Sequence, residues 1–141
     1  MWYCSNCKKH QMAFKKIDIY KEPLYLIIQL KRFKQNNYQH SSIFEGLYSG
    51  DGKNSTFIDF PVKNLDLSKF VIREDKPNKI LYDLYAVTNH FGGSSFGHYT
   101  ADCKNNGAWY NFNDSSVMRI QDEREIVNSS AYILFYKKKN I

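Results

Sequence analysis

His98 and the polar pair Asn113-Asp114 are the residues of this chain whose types and spacing suit nucleophilic chemistry. They lie in "GHYTADCKNNGAWYNFNDSS", residues 97–116, which has the pattern of two strands joined by a polar turn. An imidazole held beside an amide or a carboxylate is the base half of a nucleophilic site. The neighbour fixes the orientation and tautomer of the ring and leaves the other ring nitrogen free to take a proton. The stretch therefore predicts a general base.

The turn between these two strands decides which residue faces His98. Asn and Gly tolerate positive φ, so the turn is predicted within "KNNG", residues 104–107. The registers that this turn allows place His98 opposite Asn113, Asp114 or Ser115. Directly opposed residues of an antiparallel pair lie about 4.5–5.5 Å apart and point to the same face, which suits a hydrogen bond to the imidazole.

Cys103 is the cysteine nearest to His98 in sequence, and the strand pattern excludes it as the nucleophile of this base. Five residues separate the two, so their side chains point to opposite faces of the strand. The same spacing separates them by about 16 Å, whereas a thiol must come within about 3 Å of its base. Ser94 and Ser95 lie closer, but no nucleophile-elbow pattern surrounds them. We therefore predict a base whose nucleophile is not on this chain.

Cys4 and Cys7 form a C-x-x-C pair within "WYCSNCKKHQ". Two thiolates at this spacing hold one side of a tetrahedral zinc ion, and a structural zinc site needs four ligands. His10 is a candidate third ligand, and no fourth stands out in the sequence. A thioredoxin-type redox motif is not favoured, because no βαβ pattern surrounds the pair. The prediction is half of a structural zinc site; the alternative is two reduced cysteines without a metal.

The elements that must position these residues are mostly strands. The segment "PLYLIIQLKRF", residues 23–33, is apolar at both parities, which predicts a central strand buried on both faces. Polar residues 34–56 and glycine-rich residues 91–97 are predicted loops, and 64–70 and 121–127 are predicted short helical segments. Besides those of the hairpin, the remaining predicted strands are "FKKIDIY" (14–20), "FIDFP" (57–61), "ILYDLYAVTNH" (80–90) and "AYILFYKKK" (131–139). The fold class is α+β, predominantly antiparallel β.

Composition and charge narrow the function classes. The 141 residues are 43% hydrophobic and 16% aromatic, enough for the core of one domain. The net charge is +6, but apart from "KKK" at 137–139 the basic residues are scattered without a nucleic-acid-binding signature, so nucleic acid is not an expected partner. No apolar run reaches the ~18 residues of a membrane span, and no signal peptide is evident. Three cysteines fit the reducing cytoplasm or nucleus.

Several motifs, in this order and spacing, resemble the ubiquitin-specific protease (USP) family, which are papain-like cysteine deubiquitinases. The likeness runs from residue 2 to residue 137, and the amino-terminal motif resembles the multi-domain branch of the family, whose catalytic domain is split by a long insertion. The matching stretches are "WYCSNCKKHQ" (second CxxC of the zinc-bearing fingers), "LYLIIQLKRF" (the L-x-x-L-K-R-F strand), "FPVKNLDLSKFV" (F-P-x-x-x-L-D-L), "YDLYAVTNHFGG" with "GHYTADCKN" (the histidine box), and the final blocks "WYNFNDSSV" and "AYILFY".

The resemblance implies catalytic and metal roles for matching residues. His98 matches the catalytic histidine, and Asn113 matches the third catalytic position that orients it. Asp114 matches the adjacent aspartate, which aids polar stabilisation near the reacting carbonyl. Cys4 and Cys7 match two of the four zinc ligands. Catalysis itself needs no cofactor.

The resemblance also implies where substrate binds. The loop 91–97 and the loop within 34–56 match two loops that border the groove for the carboxyl-terminal tail of ubiquitin. Within and beside the first of them, the expected substrate-binding residues are Gly92, Gly93, Gly97 and Tyr99. The implied partners are ubiquitin and ubiquitinated proteins.

The implied architecture is the carboxyl-terminal portion of a USP catalytic domain over residues 1–141. Residues 1–20 would be part of the fingers, and residues 21–141 the palm sheet with the histidine box. The family's amino-terminal cysteine box and its first CxxC are absent, and the loop 34–56 is longer than the family pattern. We therefore expect the nucleophile on sequence that precedes Met1 or on a separate chain, and an inactive chain by itself. The alternative is a non-catalytic ubiquitin-binding or regulatory module.

Overall fold

The computed structural model describes residues 1–33, 53–93 and 96–140. Two strands of the amino-terminal segment, β1 (Trp2–Cys4) and β2 (Lys9–Gln11), pair only with each other. A 3₁₀ helix spans Glu123–Ile126. The strands of the larger sheet are β3 (Tyr25–Gln29), β4 (Leu65–Asp66), β5 (Leu81–Gly92), β6 (Gly97–Asn105), β7 (Ala108–Asn113), β8 (Ser116–Ile120) and β9 (Ala131–Lys138).

The larger sheet is antiparallel at every pairing of its named strands. Its order is β3-β9-β5-β6-β7-β8, and β4 adds to β5 outside this path. β5 and β9 therefore lie inside the sheet, and β6 to β8 continue it as a meander of hairpins. This arrangement confirms the prediction of a predominantly antiparallel β fold with little helix.

The core covers one face of β5 and β9. Leu84 and Val87 both point into it although they are three residues apart, because a bulge at Tyr85 shifts the alternation of β5 by one residue. Connecting segments and the 3₁₀ helix close over these strands. The buried core residues are Phe60, Leu67, Val71, Ile80, Tyr82, Leu84, Val87, Trp109, Ile126, Ala131, Leu134 and Tyr136.

The prediction that residues 23–33 form a central strand is wrong, because β3 lies at the edge of the sheet. It is shorter than the apolar segment 23–33 and forms the edge of the sheet, with β9 as its neighbour. Leu26 and Ile28 pack against the core, whereas Tyr25 and Ile27 are 51% and 62% exposed. Apolar residues at both parities predicted burial of both faces, and within the described residues only one face is covered.

Four further predicted elements differ from the structure. Residues 14–20 form no named strand and make only an isolated parallel bridge, from Ile19 to Val71. Residues 57–61 are extended without a ladder, and 64–70 hold β4 and a turn rather than helix. The predicted helix 121–127 is reduced to the four residues of the 3₁₀ helix.

The predicted long loop 34–56 lies largely outside the described residues. Among the described residues, no helix is long and apolar enough to cross a membrane.

Candidate active site

The turn between β6 and β7 sets the register around His98. Asn106 and Gly107 have φ values of 47° and 83°, and positive φ at both central residues is the signature of a two-residue type I′ hairpin turn. Asn105 accordingly pairs with Ala108. Of the registers that the sequence allowed, this is the one that sets His98 across from position 115, just beyond the end of β7.

His98 nevertheless contacts Asn113, diagonally across the strand pair. The ring Nε2 lies 2.6 Å from Asn113 Oδ1. A diagonal neighbour two residues along remains within reach of long side chains. Because an amide oxygen only accepts, Nε2 donates this hydrogen bond, and in the neutral ring Nδ1 is then the acceptor. The geometry thus leaves one ring nitrogen able to receive a proton.

Asp114 occupies the turn that follows. Asn113 pairs with Ser116, so Asp114 and Ser115 are the two turn residues between β7 and β8. Asp114 has a φ of 49° and is exposed. Its side chain makes no hydrogen bond or ion pair with the described residues, so the structure joins His98 to Asn113 and leaves Asp114 beside them.

A buried polar cluster lies on the same face as His98, further along β6. Asp102 is 4% exposed, and its two carboxylate oxygens accept hydrogen bonds of 2.6 Å from the amides of Asn89 on β5 and Asn111 on β7. One carboxylate thereby joins three neighbouring strands. Asp102 and Asn111 also line a cavity of about 440 Å³ together with Thr100. Sequence reasoning missed this cluster, although alternation places Asp102 and His98 on one face.

The glycines before His98 are required by close backbone approach. A Cβ on Gly97 would lie 2.2 Å from Nε2 of the buried His90 ring, and a Cβ on Gly92, whose φ is 93°, would lie 2.9 Å from the Phe96 carbonyl. The Gly93 amide donates to that same carbonyl at 2.9 Å. His90, which sequence reasoning passed over, therefore supports the point where β6 begins.

Tyr99 lies on the opposite face of the sheet from His98. Its ring centroid is 4.6 Å from that of His90 and 6.3 Å from that of Tyr132. These rings, Gly93 and Gly97 line a cavity of about 380 Å³. Three of the four predicted substrate-binding residues are thus brought to one cleft, while the fourth, Gly92, lies at the end of β5.

Arg32 anchors the segments on either side of residues 34–52. It is 3% exposed, and its guanidinium donates to the carbonyls of Ala131, Asn54 and Thr56 at 2.6, 2.8 and 2.9 Å. Burial lowers the pKa of Arg32 from its ordinary value. Lys53 donates to the His90 carbonyl at 2.5 Å, so the chain that re-enters the described region at residue 53 is tied to the strand that carries His90.

Cys103 is separated from His98 by the sheet. It pairs with Ala86 and Tyr110 on the face opposite to His98. Burial, and then the nearby Asp102 carboxylate, raise the pKa of the Cys103 thiol. A thiol that is less readily ionised, and that points away from the base, does not serve as its nucleophile.

Cys4 ends β1, and Cys7 lies within the turn of the β1–β2 hairpin. The backbone amide of Cys7 lowers the pKa of the Cys4 thiol, helped by the Cys7 thiol and the Asn6 amide. Such a pair fits two corners of a tetrahedral zinc site. Tyr3 pairs with His10 and Cys4 pairs with Lys9, so His10 lies on the other face of the hairpin from Cys4. Within the described part of the chain, no group of three or more ligating side chains converges.

Comparisons with known proteins give consistent matches. The family model "Ubiquitin carboxyl-terminal hydrolase" matches residues 1–136. Ubiquitin carboxyl-terminal hydrolase 9 of Arabidopsis thaliana is 44% identical over 140 residues, which cover 98% of this chain and 14% of that protein. Ubiquitin carboxyl-terminal hydrolase 4 of Bos taurus is 43% identical over 141 residues, which cover 99% of this chain and 13% of that protein.

Solved structures show the same fold. A SAGA DUB module containing Ubp8 and bound to monoubiquitin matches with a TM-score of 0.74 and 32% identity, over 99% of this chain and 29% of that chain. A yeast SAGA DUB module matches with a TM-score of 0.75 and 33% identity, over 99% of this chain and 29% of that chain. The antiparallel sheet described above is therefore that of a USP catalytic domain, and the chain spans about one seventh of the length of the curated relatives.

Proposed function

Because the chain belongs to the ubiquitin carboxyl-terminal hydrolase family, we propose that it supplies the base half of a thiol-dependent deubiquitinase. The reaction is hydrolysis of the isopeptide or peptide bond at the carboxyl terminus of ubiquitin. The observation that carries the proposal is the 2.6 Å contact between His98 Nε2 and Asn113 Oδ1, which orients a histidine as a general base.

In the proposed mechanism, His98 Nδ1 takes the proton of a cysteine thiol. The thiolate attacks the carbonyl carbon of the scissile bond, and the imidazolium then protonates the leaving amine as the carbon–nitrogen bond breaks. Water, deprotonated by His98, then attacks the thioester carbon; the carbon–sulfur bond breaks and the imidazolium returns the proton to the departing thiolate, which restores the thiol and the neutral ring. Asn113 holds the ring throughout, and Asp114 aids polar stabilisation near the reacting carbonyl.

The nucleophile in this proposal comes from outside residues 1–141. All three cysteines of the chain are free thiols, and none is placed beside His98. Cys103 points to the other face of the sheet, and Cys4 and Cys7 belong to the separate two-stranded sheet. The complete active site would form when the family's cysteine box is brought to the exposed Nδ1 of His98.

Substrate would reach His98 past the glycine-rich end of β5 and the start of β6. We assign the tail of ubiquitin to this region, where the predicted groove loop 91–97 and its residues Gly92, Gly93 and Gly97 lie; the space beside Gly92 and Gly97 is taken up by the Phe96 carbonyl and the His90 ring. Tyr99 would contact the substrate from the cleft on the opposite face. The second predicted groove loop, within 34–56, lies largely outside the described residues.

Zinc has a structural role in the proposal and none in the chemistry. Cys4 and Cys7 would supply two ligands, with two more from the same partner sequence that brings the nucleophile. A reducing compartment, the cytoplasm or the nucleus, suits the three free thiols.

The test is a chimera. Residues 1–141 replace the matching 140 residues of the Arabidopsis relative, and hydrolysis of a fluorogenic ubiquitin substrate is measured beside the parent enzyme. We expect the chimera to hydrolyse the substrate and the isolated 141-residue chain not to exceed buffer. A chimera that binds ubiquitin as the parent does and yet never turns over would favour a non-catalytic ubiquitin-binding module.

Cys103→Ser is the matched control in both the chimera and the isolated chain. It should leave the chimera active, because Cys103 lies on the wrong face of β6. Turnover by the isolated chain that disappears on Cys103→Ser would contradict the assignment of the nucleophile to another segment.

A further inference from the structure

A basic pocket lies at the end of the sheet opposite to His98. It is a cavity of about 890 Å³ between the entry to β3, the loop 73–79 and the end of β9. Lys138, at its wall, pairs with Tyr82 near the start of β5, whereas His98 pairs with Phe91 near the end of that strand. Nine residues of strand separate these positions, or about 30 Å. The lining residues are Lys21, Glu22, Leu24, Arg73, Pro77, Asn78, Lys79, Lys138, Lys139 and Asn140.

A buried carboxylate organises the wall of the basic pocket. The Glu22 side chain is 3% exposed, and its Oε1 accepts from Lys138 Nζ at 2.9 Å and from Arg73 Nη2 at 3.0 Å. Both cations are therefore held within about 6 Å of each other before any ligand arrives. The hydrogen bond from Lys138, with the charges of Lys138 and Arg73, lowers the pKa of Glu22, so this carboxylate stays ionised. The arrangement is preorganised rather than a chance gathering of mobile lysines.

The positive charge of the basic pocket exceeds its negative charge. Five cations line it against one carboxylate, a formal excess of four charges. Just outside, Asp75 lies 3.5 Å from Arg73, and Asp83 lies 3.4 Å from Lys139. Lys21 and Lys79 remain exposed and have no ion pair with any described residue.

We propose that the basic pocket binds an acidic, Asp- or Glu-rich segment of a partner protein. Ligand cavities of about 300–1,000 Å³ hold drug-sized molecules, so a single small anion would leave most of this one empty. The cations come from three chain segments and are spread around the cavity, which suits several carboxylates along a peptide. Leu24 and Pro77 offer apolar contact to its backbone and side-chain stems.

Two features favour a peptide over nucleic acid. Among the described residues, no aromatic side chain lines the pocket, so bases would find no stacking platform. The cations also surround a cavity instead of forming the stripe that follows a phosphate backbone. The site lies far from His98, and the inference does not depend on the proposed hydrolase activity.

The experiment measures binding to the 141-residue chain by fluorescence anisotropy of a labelled glutamate-rich peptide, with its glutamine counterpart as the uncharged probe. The pocket variant is Lys21→Glu with Lys79→Glu. The control variant is Lys9→Glu with Lys15→Glu, which makes the same change in net charge at exposed lysines outside the pocket. We expect the pocket variant to lose about tenfold or more in affinity and the control less than about threefold.

Four results would overturn the inference. Equal losses in the two variants would mean attraction by net charge alone, as would equal binding of the glutamine peptide. Displacement of the peptide by inorganic phosphate, beyond that by sodium chloride of equal ionic strength, would make this a site for a compact anion. Displacement by a single-stranded oligonucleotide that depends on Lys21 and Lys79 would assign the pocket to nucleic acid.

Discussion

His98 and Asn113 project from a seven-stranded sheet, whereas Cys4 and Cys7 lie at the end of a strand and within the turn of a two-stranded sheet. Around the first pair, His90 supports the start of β6, and Asp102 links three strands through buried hydrogen bonds. Around the second pair every residue of β2 is exposed, and Cys4 is only half-buried. Both pairs belong to proposed sites, yet only the first is held in place by the larger sheet.

The His98–Asn113 pair is already oriented by the fold, whereas a site built on the Cys4–Cys7 pair depends on a bound ligand. The imidazole already has its orienting hydrogen bond, so a thiol would need only to be added. The zinc role proposed for the cysteine pair would need a metal and two more ligands to complete the tetrahedron. Substitutions at the first pair should therefore change activity and stability, and substitutions at the second should change little in the isolated chain.

The largest expected effect comes from His98→Ala. In the active chimera this substitution removes the proposed base that deprotonates the thiol and protonates the leaving amine, so turnover should fall to background. Initial rates with the fluorogenic ubiquitin substrate give the result. Retained turnover, with ubiquitin binding unchanged, would mean that another group acts as the base.

Asn113→Ala should cost less than His98→Ala. The amide orients the ring but transfers no proton, so we expect a loss in turnover of roughly ten- to a thousandfold. Asp114→Ala is the matched comparison, because Asp114 is adjacent and makes no contact with His98 in the structure. If Asp114→Ala abolishes turnover while Asn113→Ala retains it, the orienting role belongs to Asp114.

Asp102→Ala should lower the stability of the isolated chain by about 2–4 kcal/mol. The change leaves the amides of buried Asn89 and half-buried Asn111 without their acceptor, and each lost partner costs about 1–3 kcal/mol when the group is buried. Urea unfolding measures the free energy. Asp59→Ala, at an exposed carboxylate with no partner among the described residues, is the control and should change stability by less than about 0.5 kcal/mol. Equal effects of the two would show that the cluster adds no stability.

The smallest expected effect comes from the cysteine pair. Cys4→Ser should leave the melting temperature of the isolated chain within about 1 °C of the parent, because the hairpin contributes no residue to the buried core. Elemental analysis should find less than one zinc per chain at monomeric size. One tightly held zinc per monomer, lost on Cys4→Ser, would reveal ligands that the described geometry does not bring together.

Much of the candidate site could be predicted from local sequence features. Asn106-Gly107 is a strong turn signal, and once a hairpin forms there, His98 must lie near Asn113–Ser115 in any register. The choice among Asn113, Asp114 and Ser115 did not follow from the pattern, because a change of turn shifts the whole strand. The diagonal contact to Asn113 depends on side-chain reach, which strand pairing alone does not specify.

The misjudged elements share a physical cause. Apolar residues at both parities of 23–33 indicate that both faces of this segment favour burial. They do not identify which elements cover those faces. In this structure β3 is an edge strand, with Tyr25 and Ile27 exposed. The same reasoning overlooked Asp102 and His90, since a single polar residue within a strand gives no periodic signal.

The sequence by itself determined the antiparallel β class, the hairpin that carries His98, the cysteine pair and the family, because each depends on alternation, turn chemistry or short motifs. Tertiary structure alone decided that Asp102 joins Asn89 to Asn111, that His90 lies under Gly97, and that Glu22 gathers Arg73 and Lys138 at the far end of the sheet. These contacts join residues between 7 and 116 positions apart. Only the order of the strands and the direction of each side chain bring such residues within hydrogen-bonding distance.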